Sequence, residues 1–458
     1  MKNYFSAIVA LTMISGAAHA DKLRDAVVED YDFVFDLYKF FHQNPELSFK
    51  ESKSAAVMAR ELNALGFTVT TGIGDDSLRS RVKNHAGNVP DGVGGHGLAA
   101  VMENGDGPTL MIRADMDALP LKESTGLPYA SNIISTDHTG QEVPVMHACA
   151  HDSHMAIMIG TARRLVAMKD KWSGTLILIG QPAEEVGLGA RAMLEDELYK
   201  RFPTPDYVLA LHTEGNAPAG TVTYTSEWAR ANVDSVDITV RGIGTHGSAP
   251  QYGIDPIVIA AQIVTALQTL VSREIDPLKA GVVTVGSLQA GFKHNIISDE
   301  AKLKITVRSY EDDVRQKLLD GIKRITMAQA MSAGVPANLA PIIEFDNEPL
   351  PSAYNEPNLT ARVMAAIGST LGVERVVEMP PVMGGDDFSF YGRTKENIPT
   401  LIFGIGGADP EAFDAYRAGK SDAPPSNHSP FFAPMPEPTL KTGVHAMTLA
   451  ALDLLGRE

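Results

Sequence analysis

The order of hydrophobic and polar positions along the chain predicts alternating helices and strands in its first half. Apolar residues three or four apart predict helices over residues 23–41, 52–65 and 153–168. Short apolar runs predict strands over residues 98–102, 109–113, 175–179 and 207–211. Residues 72–97 are polar and rich in glycine, so we expect a surface loop there. Together these elements favour an α/β domain with an open sheet.

From about residue 231 the pattern changes. The next predicted elements are strands over residues 235–241, 282–288, 301–308 and 342–345 and helices over residues 255–275 and 312–333. Their order, strand-helix-strand-strand-helix-strand, fits a small α+β domain inserted into the first. The first domain then resumes with a helix over 360–371, a strand over 400–403 and a last helix over 438–455. We therefore expect a first domain over residues 21–230 and 348–458, and an insert over residues 231–347.

The first twenty residues have the pattern of a secretory signal. Lys2 supplies the positive start, residues 5–14 the apolar run, and Ala18-His19-Ala20 a small-x-small cleavage site. We expect cleavage after Ala20 and export to the periplasm or the medium, and the alternative is an uncleaved N-terminal anchor. No later stretch looks long and apolar enough to cross a membrane. With 44% hydrophobic and 21% charged residues and a net charge of -17, we expect a soluble globular protein that binds neither nucleic acid nor an anionic membrane.

Candidate metal ligands are concentrated in the stretch Met146–His154. It contains three of the thirteen histidines and the only cysteine of the chain. Imidazole and thiolate bind borderline transition metals well, and a lone Cys149 in an exported protein is either buried or protected by a metal. Cys149 and His151 can face one metal only from a non-helical turn, whereas His147 and His151 can share a helical face. The spacing does not choose between these pairs.

Three predicted strands of the first domain end at acids or a histidine. Asp115 and Asp117 follow the strand over 109–113, Glu184 and Glu185 follow the strand over 175–179, and His212 follows the strand over 207–211. Open α/β sheets place their sites at these strand ends. One acid of the Glu pair can bind a metal while its neighbour acts as general base. The alternatives are a solvated loop for the Asp pair and a capped helix N-terminus for the Glu pair.

These segments and others together resemble the amidohydrolase branch of the M20 metallopeptidase family. The matching segments run in the family's order over nearly the whole mature chain: HQNPELSFKE (42–51), RADMDALPLKE (113–123), MHACAHDSH (146–154), QPAEE (181–185), His212, GTHGSAP (244–250), Asn295 with TVR (306–308), GGDDFSFY (384–391) and NHSPFF (427–432). That branch contains hippurate hydrolases, auxin-amino-acid hydrolases and N-acyl-amino-acid deacylases. One departure is Ala150, which stands between Cys149 and His151 where the family usually has Gly. The difference matters if the backbone needs a positive φ at this residue.

The resemblance implies a zinc-peptidase-like catalytic α/β domain interrupted by a lid that also forms a homodimer. Two divalent metal ions, Mn or Zn, are implied for each subunit. The implied ligands are Cys149, His151, Glu185, His212 and His428. Glu184 matches the general base, and Asp115, Asp117, His147 and His154 match supporting residues. On the lid, His246 matches the residue that meets the developing oxyanion, from the second subunit, and Asn295 and Arg308 match substrate-binding positions.

We therefore expect a metal-dependent amidohydrolase that cleaves N-acyl amino acids or related small amides. An exported dipeptidase or carboxypeptidase of the same family is the alternative within this class. A hydrolase with Cys149 as its nucleophile is a second alternative, and it leaves the Glu pair unexplained. A periplasmic binding protein with two lobes is a third, from another functional class, and it would bind a small ligand without turnover.

Overall fold

The computed structural model describes residues 22–86, 89, 92–137 and 139–457, so the predicted signal segment lies outside the described residues. The chain divides into two compact units. The first contains residues up to Ala229, Tyr354–Pro380 and the residues from Phe390 onward. The second contains Arg230–Ala353 and Pro381–Ser389, so it extends a few residues beyond the expected insert and adds a short segment from the part that follows it.

Strands occur in both units. In chain order they are β1 Thr68–Ile73, β2 Gly97–Glu103, β3 Thr109–Asp115, β4 Ile134–Thr136, β5 Glu142–Pro144, β6 Thr175–Gln181, β7 Tyr207–Pro218, β8 Val222–Tyr224, β9 Glu227–Arg230, β10 Asn232–Arg241, β11 Thr245–His246, β12 Gly281–Ala290, β13 Ile296–Ile297, β14 Glu300–Ser309, β15 Ile342–Phe345, β16 Ala353–Asn355, β17 Val376–Glu378 and β18 Thr400–Ala408.

The helices are named by their bounds. They are Tyr31–Gln43, Ser52–Ala64, Asp75–Ala86, His151–Ala167, Gly189–Glu195, Leu198–Arg201, Pro256–Thr269, Asp312–Ser332, Pro357–Leu371, Ser389–Gly392, Pro410–Arg417 and Pro436–Leu455. Residues 22–29 are also helical, and a turn at Asp30 separates them from the next helix. The single helix expected over 23–41 is therefore two helices.

The first unit is built on a mixed sheet of order β1-β2-β6-β3-β7-β18-β8-β17. Its central strands β6, β3, β7 and β18 are parallel, so their carboxyl ends lie at one edge. Strands β3, β6 and β18 are buried along almost their whole length, as expected when both faces of a sheet are covered. Helices His151–Ala167 and Pro436–Leu455 approach closely at Gly443. A Cβ at this residue would lie only 2.4 Å from Ile157.

The second unit is a separate α+β structure. Its antiparallel sheet has the order β12-β14-β10-β15, and helices Pro256–Thr269 and Asp312–Ser332 pack on one face. Strand β10 alternates buried and exposed positions, with Val236, Ile238 and Val240 in the core. The order of these elements along the chain matches the predicted order strand-helix-strand-strand-helix-strand. The expected two-domain α/β fold class is confirmed.

Three further expectations from the sequence differ from the structure. Part of the expected loop over 72–97 is the helix Asp75–Ala86, and strand β1 was not expected at all. Strand β7 continues past His212 to Pro218, so His212 lies within a strand and not after it. Finally, the helical segment Pro256–Glu274, whose last turn is a π-helix, is long and apolar enough to cross a membrane, contrary to the expectation. Helices in the core of a globular protein can be equally long and apolar. This one packs Ile263 and Leu267 into the core of the second unit.

Candidate metal centre

The turn before helix His151–Ala167 brings Cys149 and His151 together. The helix begins at His151, and Ala150 before it has φ 66° and ψ 27°, in the left-handed region. The Ser153 hydroxyl donates to the carbonyl of Ala150 at 2.7 Å, which stabilises this turn. Ala150 occupies the cap position, so Asp152 and Ser153 lie inside the helix, which begins two residues before the predicted start. The backbone therefore turns at the residue where the family usually has Gly.

Cys149 is the centre of the first group of donor atoms. Its Sγ lies 3.5 Å from Nε2 of His212 and 3.3 Å from Nε2 of His428. Nε2 of His428 in turn lies 3.5 Å from Oε2 of Glu185. Two donors on one tetrahedral ion at ligand distances of about 2.1–2.3 Å are about 3.4–3.7 Å apart. The donor atoms of Cys149, Glu185 and His428 are thus spaced as ligands of a shared ion, and Cys149 also groups with His151 and His212.

A second group of donors surrounds His151. Its Nδ1 donates to the backbone carbonyl of Asp117 at 2.8 Å, so Nε2 is the ring nitrogen that faces the other groups. Nε2 is buried and has no hydrogen bond within the described part of the chain. It lies 3.9 Å from Oε2 of Glu184 and 4.0 Å from Oε1 of Glu185, too far for hydrogen bonds. A buried nitrogen without a hydrogen bond that faces two carboxylates at these distances fits a cation between them.

Asp117 positions the pair of glutamates. Its carboxylate accepts the backbone N–H of Glu184 at 3.1 Å and that of Glu185 at 3.0 Å, and the Ser48 hydroxyl at 2.6 Å. Since its carbonyl also accepts from His151, Asp117 connects the end of β3 to the segment after β6 and to the helix start. Such outer hydrogen bonds fix the orientation of metal ligands.

Asp115 and His154 form a neighbouring buried pair. Nδ1 of His154 donates to Oδ1 of Asp115 at 2.6 Å, and Nε2 of His154 accepts the backbone N–H of Thr213 at 2.8 Å. Arg113 makes an ion pair with the other carboxylate oxygen of Asp115. Although burial alone would raise the pKa of Asp115, Arg113 and the neighbouring histidines lower it well below its ordinary value. Because Thr213 follows His212, this pair also fixes the strand that carries His212.

The charge distribution favours a thiolate at Cys149. Burial alone would raise the pKa of this thiol, but His212 and His151 outweigh it and hold the pKa well below its usual range. Burial raises the pKa of Glu185 well above its ordinary value, and the negative charge of Cys149 adds to that shift. A cation at this position would relieve the repulsion between thiolate and carboxylate.

His147 does not join these groups. The residue is buried, neither ring nitrogen has a hydrogen bond within the described residues, and it belongs to none of the clusters of candidate ligands. Burial lowers the pKa of His147 to about 4, so the ring is neutral at pH 7. Of the two pairs that the spacing left open, the structure brings the donor atoms of Cys149 and His151 into one cluster, with His212.

A buried ion-pair network beside the start of helix His151–Ala167 was not predicted from the sequence. His42 contacts Asp152 at 2.6 Å and Glu123 at 3.0 Å, and all three side chains are buried. His42 and Glu123 lie in segments quoted for the resemblance, but they are 81 residues apart in sequence. The only local signal was the segment His-Gln-Asn-Pro-Glu over residues 42–46.

The three predicted substrate-binding residues lie in the second unit. His246 on β11 is exposed, pairs with Ile296 on β13, and its Nδ1 accepts from the Ser248 hydroxyl at 2.7 Å. Asn295 is adjacent, since its carbonyl accepts the backbone N–H of Gly247 at 2.8 Å. Arg308 on β14 is half-buried and donates to Thr306 at 3.0 Å. Within this unit, His246 and Asn295 are therefore neighbours.

Comparison with known proteins identifies the family to which this arrangement belongs. Residues 111–449 match the family described as Peptidase family M20/M25/M40. The chain belongs to this family. The chain is 33% identical over 434 residues to "Thermostable carboxypeptidase 2" of Saccharolobus solfataricus, covering 94% of this chain and 98% of that protein. It is 34% identical over 376 residues to "N-acetylcysteine deacetylase" of Bacillus subtilis, covering 81% and 88%.

Among solved structures, the chain is similar to YXEP of Bacillus subtilis, described as a dinuclear metal binding peptidase from the M20 family. The TM-score is 0.69 at 27% identity, and the match covers 93% of this chain and 98% of that one. The M20 chain described here is therefore a metal-dependent amidohydrolase or peptidase. This result confirms the expected family and enzyme class, and it does not support the alternative of a binding protein. Because the family is metal-dependent, the alternative with Cys149 as nucleophile has no support either.

Proposed function

We propose that this M20 hydrolase cleaves the amide bond of N-acyl amino acids with Glu184 as general base. The observation that carries the proposal is the buried Nε2 of His151, without a hydrogen bond in the described chain and facing the carboxylates of Glu184 and Glu185. One carboxylate can bind a metal ion while the other remains available for proton transfer. Glu184 has that role in the proposal because the resemblance places Glu185 among the ligands.

The proposed metal ligands are Cys149, His151, Glu185, His212 and His428. Their S, N and O donors suit two divalent ions of the Zn or Mn type and do not choose between them. When bound, such ions supply Lewis-acid chemistry, polarising a carbonyl and increasing the acidity of water. Glu184 then accepts a proton from the attacking water at its carboxylate and returns it to the leaving nitrogen. Asp117 holds the backbone of Glu184 in place for both transfers.

Two relatives support the substrate class. One is named a carboxypeptidase and another an N-acetylcysteine deacetylase. The bonds in both names join an acyl or peptidyl group to an amino acid with a free α-carboxylate. We propose that this feature carries over, with Asn295 and Arg308 recognising the carboxylate and His246 the developing oxyanion. A guanidinium group suits a carboxylate because it can donate two parallel hydrogen bonds.

The test of the base compares two neighbouring substitutions. Glu184→Gln is expected to retain the full metal content of the wild type and to lose at least about a hundredfold in kcat. Glu185→Gln is expected to lose metal as well as activity, because it removes a ligand. Elemental analysis and kinetics on the same preparations separate the two effects. Near-normal kcat in Glu184→Gln with full metal content would contradict the assignment.

The test of the substrate class uses matched compounds. An N-acyl amino acid, its amide without the free carboxylate, and a dipeptide of the same leaving residue are compared by kcat/KM. We expect the N-acyl amino acid to have the highest kcat/KM and its carboxamide to have a kcat/KM at least about tenfold lower. In Arg308→Gln this difference between the two compounds is expected to disappear. Preference for the dipeptide would instead support the carboxypeptidase alternative.

We also propose that two chains associate through their second units. Helix Pro256–Thr269 has no charged residue, and Val258 on its outer face is 53% exposed. Strand β12 is also uncharged, lies at an edge of its sheet and exposes Leu288. Edge strands that remain unpaired usually carry charges or proline that prevent pairing with another chain. This surface therefore suits a second copy of the same chain.

Export is the remaining part of the proposal. It rests on the signal pattern of residues 1–20. N-terminal sequencing of protein from a fractionated host is expected to begin at Asp21. Recovery of the intact N-terminus from the cytoplasmic fraction would contradict it.

A further inference from the structure

Glu51 is a completely buried acid that is neither a proposed metal ligand nor the proposed general base. It directly precedes helix Ser52–Ala64, but its side chain accepts no hydrogen bond from the start of that helix. Glu46 has that role instead, since its carboxylate accepts the backbone N–H groups of Lys53 and Ser54 at 2.9 and 2.8 Å. The carboxyl group of Glu51 is therefore available for contacts elsewhere.

One oxygen of Glu51 connects two distant segments of the chain. Oε1 accepts the backbone N–H of Phe49 at 3.0 Å and that of Ala183, 132 residues away in sequence, at 2.8 Å. Both of these residues have a positive φ, 73° at Phe49 and 52° at Ala183. This left-handed backbone is unfavourable for residues with a β-carbon, so it persists only where the surrounding contacts hold it. Glu51 supplies such a contact to both residues.

Ala183 is the first of three consecutive residues whose backbone is held by buried acids. Its N–H donates to Glu51. The next two N–H groups, of Glu184 and Glu185, donate to the two oxygens of Asp117. Ala183 lies two residues after the end of β6, so its φ sets the direction in which the chain leaves the sheet. A change of φ at this residue would rotate the residues that follow and displace the carboxylate of Glu184.

We propose that Glu51 is a positioning residue for the hydrolytic reaction. Its Oε1 holds Ala183 in the left-handed conformation and thereby places the carboxylate of Glu184. This role rests on the proposed function, in which Glu184 is the general base. A general base must lie within hydrogen-bond reach of the proton that it accepts, and a displacement of about 1 Å can cost about a hundredfold in rate. Glu51 acts only through Ala183 and takes no part in proton transfer.

The second oxygen of Glu51 makes the contribution of Oε1 separable by substitution. Oε2 is buried and has no hydrogen bond within the described residues. Burial, together with the negative charge of Asp117, raises the pKa of Glu51 well above its ordinary value, which favours the neutral acid. Glutamine is therefore a close replacement, since its amide oxygen can accept the same two N–H groups while its NH2 group takes the place of Oε2. A positioning role survives this substitution, whereas a role in proton transfer does not.

Three substitutions test the role of Glu51 in the metal-loaded protein, with an N-acyl amino acid as substrate and rates expressed per metal-loaded chain. Glu51→Gln is expected to keep kcat within about threefold of the wild type, because the acceptor oxygen remains. Glu51→Met has no acceptor, and Glu51→Asp keeps the acid but withdraws its oxygens by one methylene group. Both are expected to lower kcat at least about tenfold with KM unchanged. Glu51→Asp is the more conservative change, so it decides the test if Glu51→Met does not fold.

Glu356→Met is the matched control, because Glu356 accepts the backbone N–H of Leu359 at 2.6 Å, at the start of a helix that carries none of the site residues. It is expected to lower the free energy of unfolding and to leave kcat unchanged. Glu184→Gln is measured in the same assay, and near-normal kcat in that variant would overturn the proposed function as well. If Glu184→Gln loses activity while Glu51→Asp and Glu51→Met keep it, the positioning role alone fails. Equal losses in Glu51→Gln and Glu51→Met would also overturn that role, because the acid itself would then be required.

Discussion

Nδ1 of His42 donates a hydrogen bond of 2.6 Å to Oδ2 of Asp152, and both side chains are buried. The other nitrogen of His42 contacts Glu123 at 3.0 Å. Asp152 follows His151, whereas Glu123 lies in the loop after β3 that also carries Asp117. A charged His42 thus connects two segments that surround the metal centre. Such a buried ion network is strongly destabilised when one partner is removed.

The first prediction is a loss of stability at alkaline pH that depends on His42. Burial alone would lower its pKa, but Asp152 and Glu123 outweigh burial and raise it to about 9 from an ordinary 6.5. The raised pKa means that the proton on His42 stabilises the fold fully below pH 6.5 and that this contribution disappears as the pH rises through about 9. The contribution is of the order of 3 kcal/mol. Denaturant unfolding of wild type and His42→Gln over this range measures it.

The readout is the difference between the two proteins, because other groups also titrate. His42→Gln is expected to be less stable at neutral pH and to approach the wild type above pH 9. His294→Gln, at an exposed position, is the control and should follow the wild type throughout. A constant difference between His42→Gln and wild type at all pH values would show that the ion pair does not titrate as argued.

The second prediction concerns the backbone at Ala150. Its φ of 66° is unfavourable for a residue with a β-carbon and favourable for glycine. Ala150→Gly is therefore expected to raise the free energy of unfolding by about 0.5–1 kcal/mol. Ala148→Gly is the control in the same turn, because Ala148 is not among the residues with positive φ. Ala148→Gly is expected to lower the free energy of unfolding by a similar amount. The same substitution would therefore stabilise the protein at residue 150 and destabilise it at residue 148.

The third prediction is that Asp117 acts by positioning the glutamate pair. In Asp117→Asn the side-chain NH2 group would replace one of the two carboxylate oxygens. It would then face the backbone N–H of Glu184 or of Glu185, and two donors cannot form a hydrogen bond. We expect metal affinity or kcat to fall by about tenfold to a hundredfold. Asp206→Asn tests the same kind of contact elsewhere, since Asp206 accepts the backbone N–H of Thr109 at 2.7 Å. Its kinetics should match the wild type, and equal losses in both variants would indicate general destabilisation.

The fourth prediction follows metal removal through the only cysteine. In the metal-loaded protein Cys149 is expected to resist a thiol reagent, because it is buried and is one of the proposed metal ligands. After chelation its rate of reaction should rise at least about tenfold, since His212 and His151 keep its pKa low. Unfolded protein, which must give one thiol per chain, calibrates the assay. An unchanged rate after chelation would argue against Cys149 as a ligand.

The fifth prediction tests the surface of the second unit. Leu288→Lys on β12 is expected to convert a dimer into a monomer, as measured by light scattering on a size-exclusion column. Ile342→Lys is the control, because Ile342 is similarly exposed on β15 at the opposite edge of the same sheet. That variant should remain dimeric. If Ile342→Lys and not Leu288→Lys disrupts the dimer, the other edge is the interface.

The strand-end residues were predictable because apolar runs define parallel strands whose ends must meet. Asp115 ends β3 in the structure, and the glutamate pair follows β6 beside it. The choice between the Cys149–His151 and His147–His151 pairs was not predictable from spacing, because it depends on the left-handed conformation of Ala150. The family resemblance supplied that choice.

Two other features were missed for different physical reasons. The helix Asp75–Ala86 is polar, with few apolar residues to define a buried face, so its periodicity was weak. The partners of His42 are 81 and 110 residues away in sequence, and only tertiary structure brings them together. Local pattern therefore predicts the elements that bury a face, but not contacts between distant polar residues.

The proposed ligands differ greatly in their access to solvent. The side chain of His151 is completely buried and that of Glu185 is 8% exposed, whereas that of His428 is 58% exposed. The buried donors are held by the sheet and by Asp117, so they form a half-shell that exists before any ion arrives. An ion entering from solvent would therefore meet the exposed His428 before it reaches the buried donors. Metal uptake and release are therefore expected to occur on the side of the centre where the exposed imidazole of His428 lies.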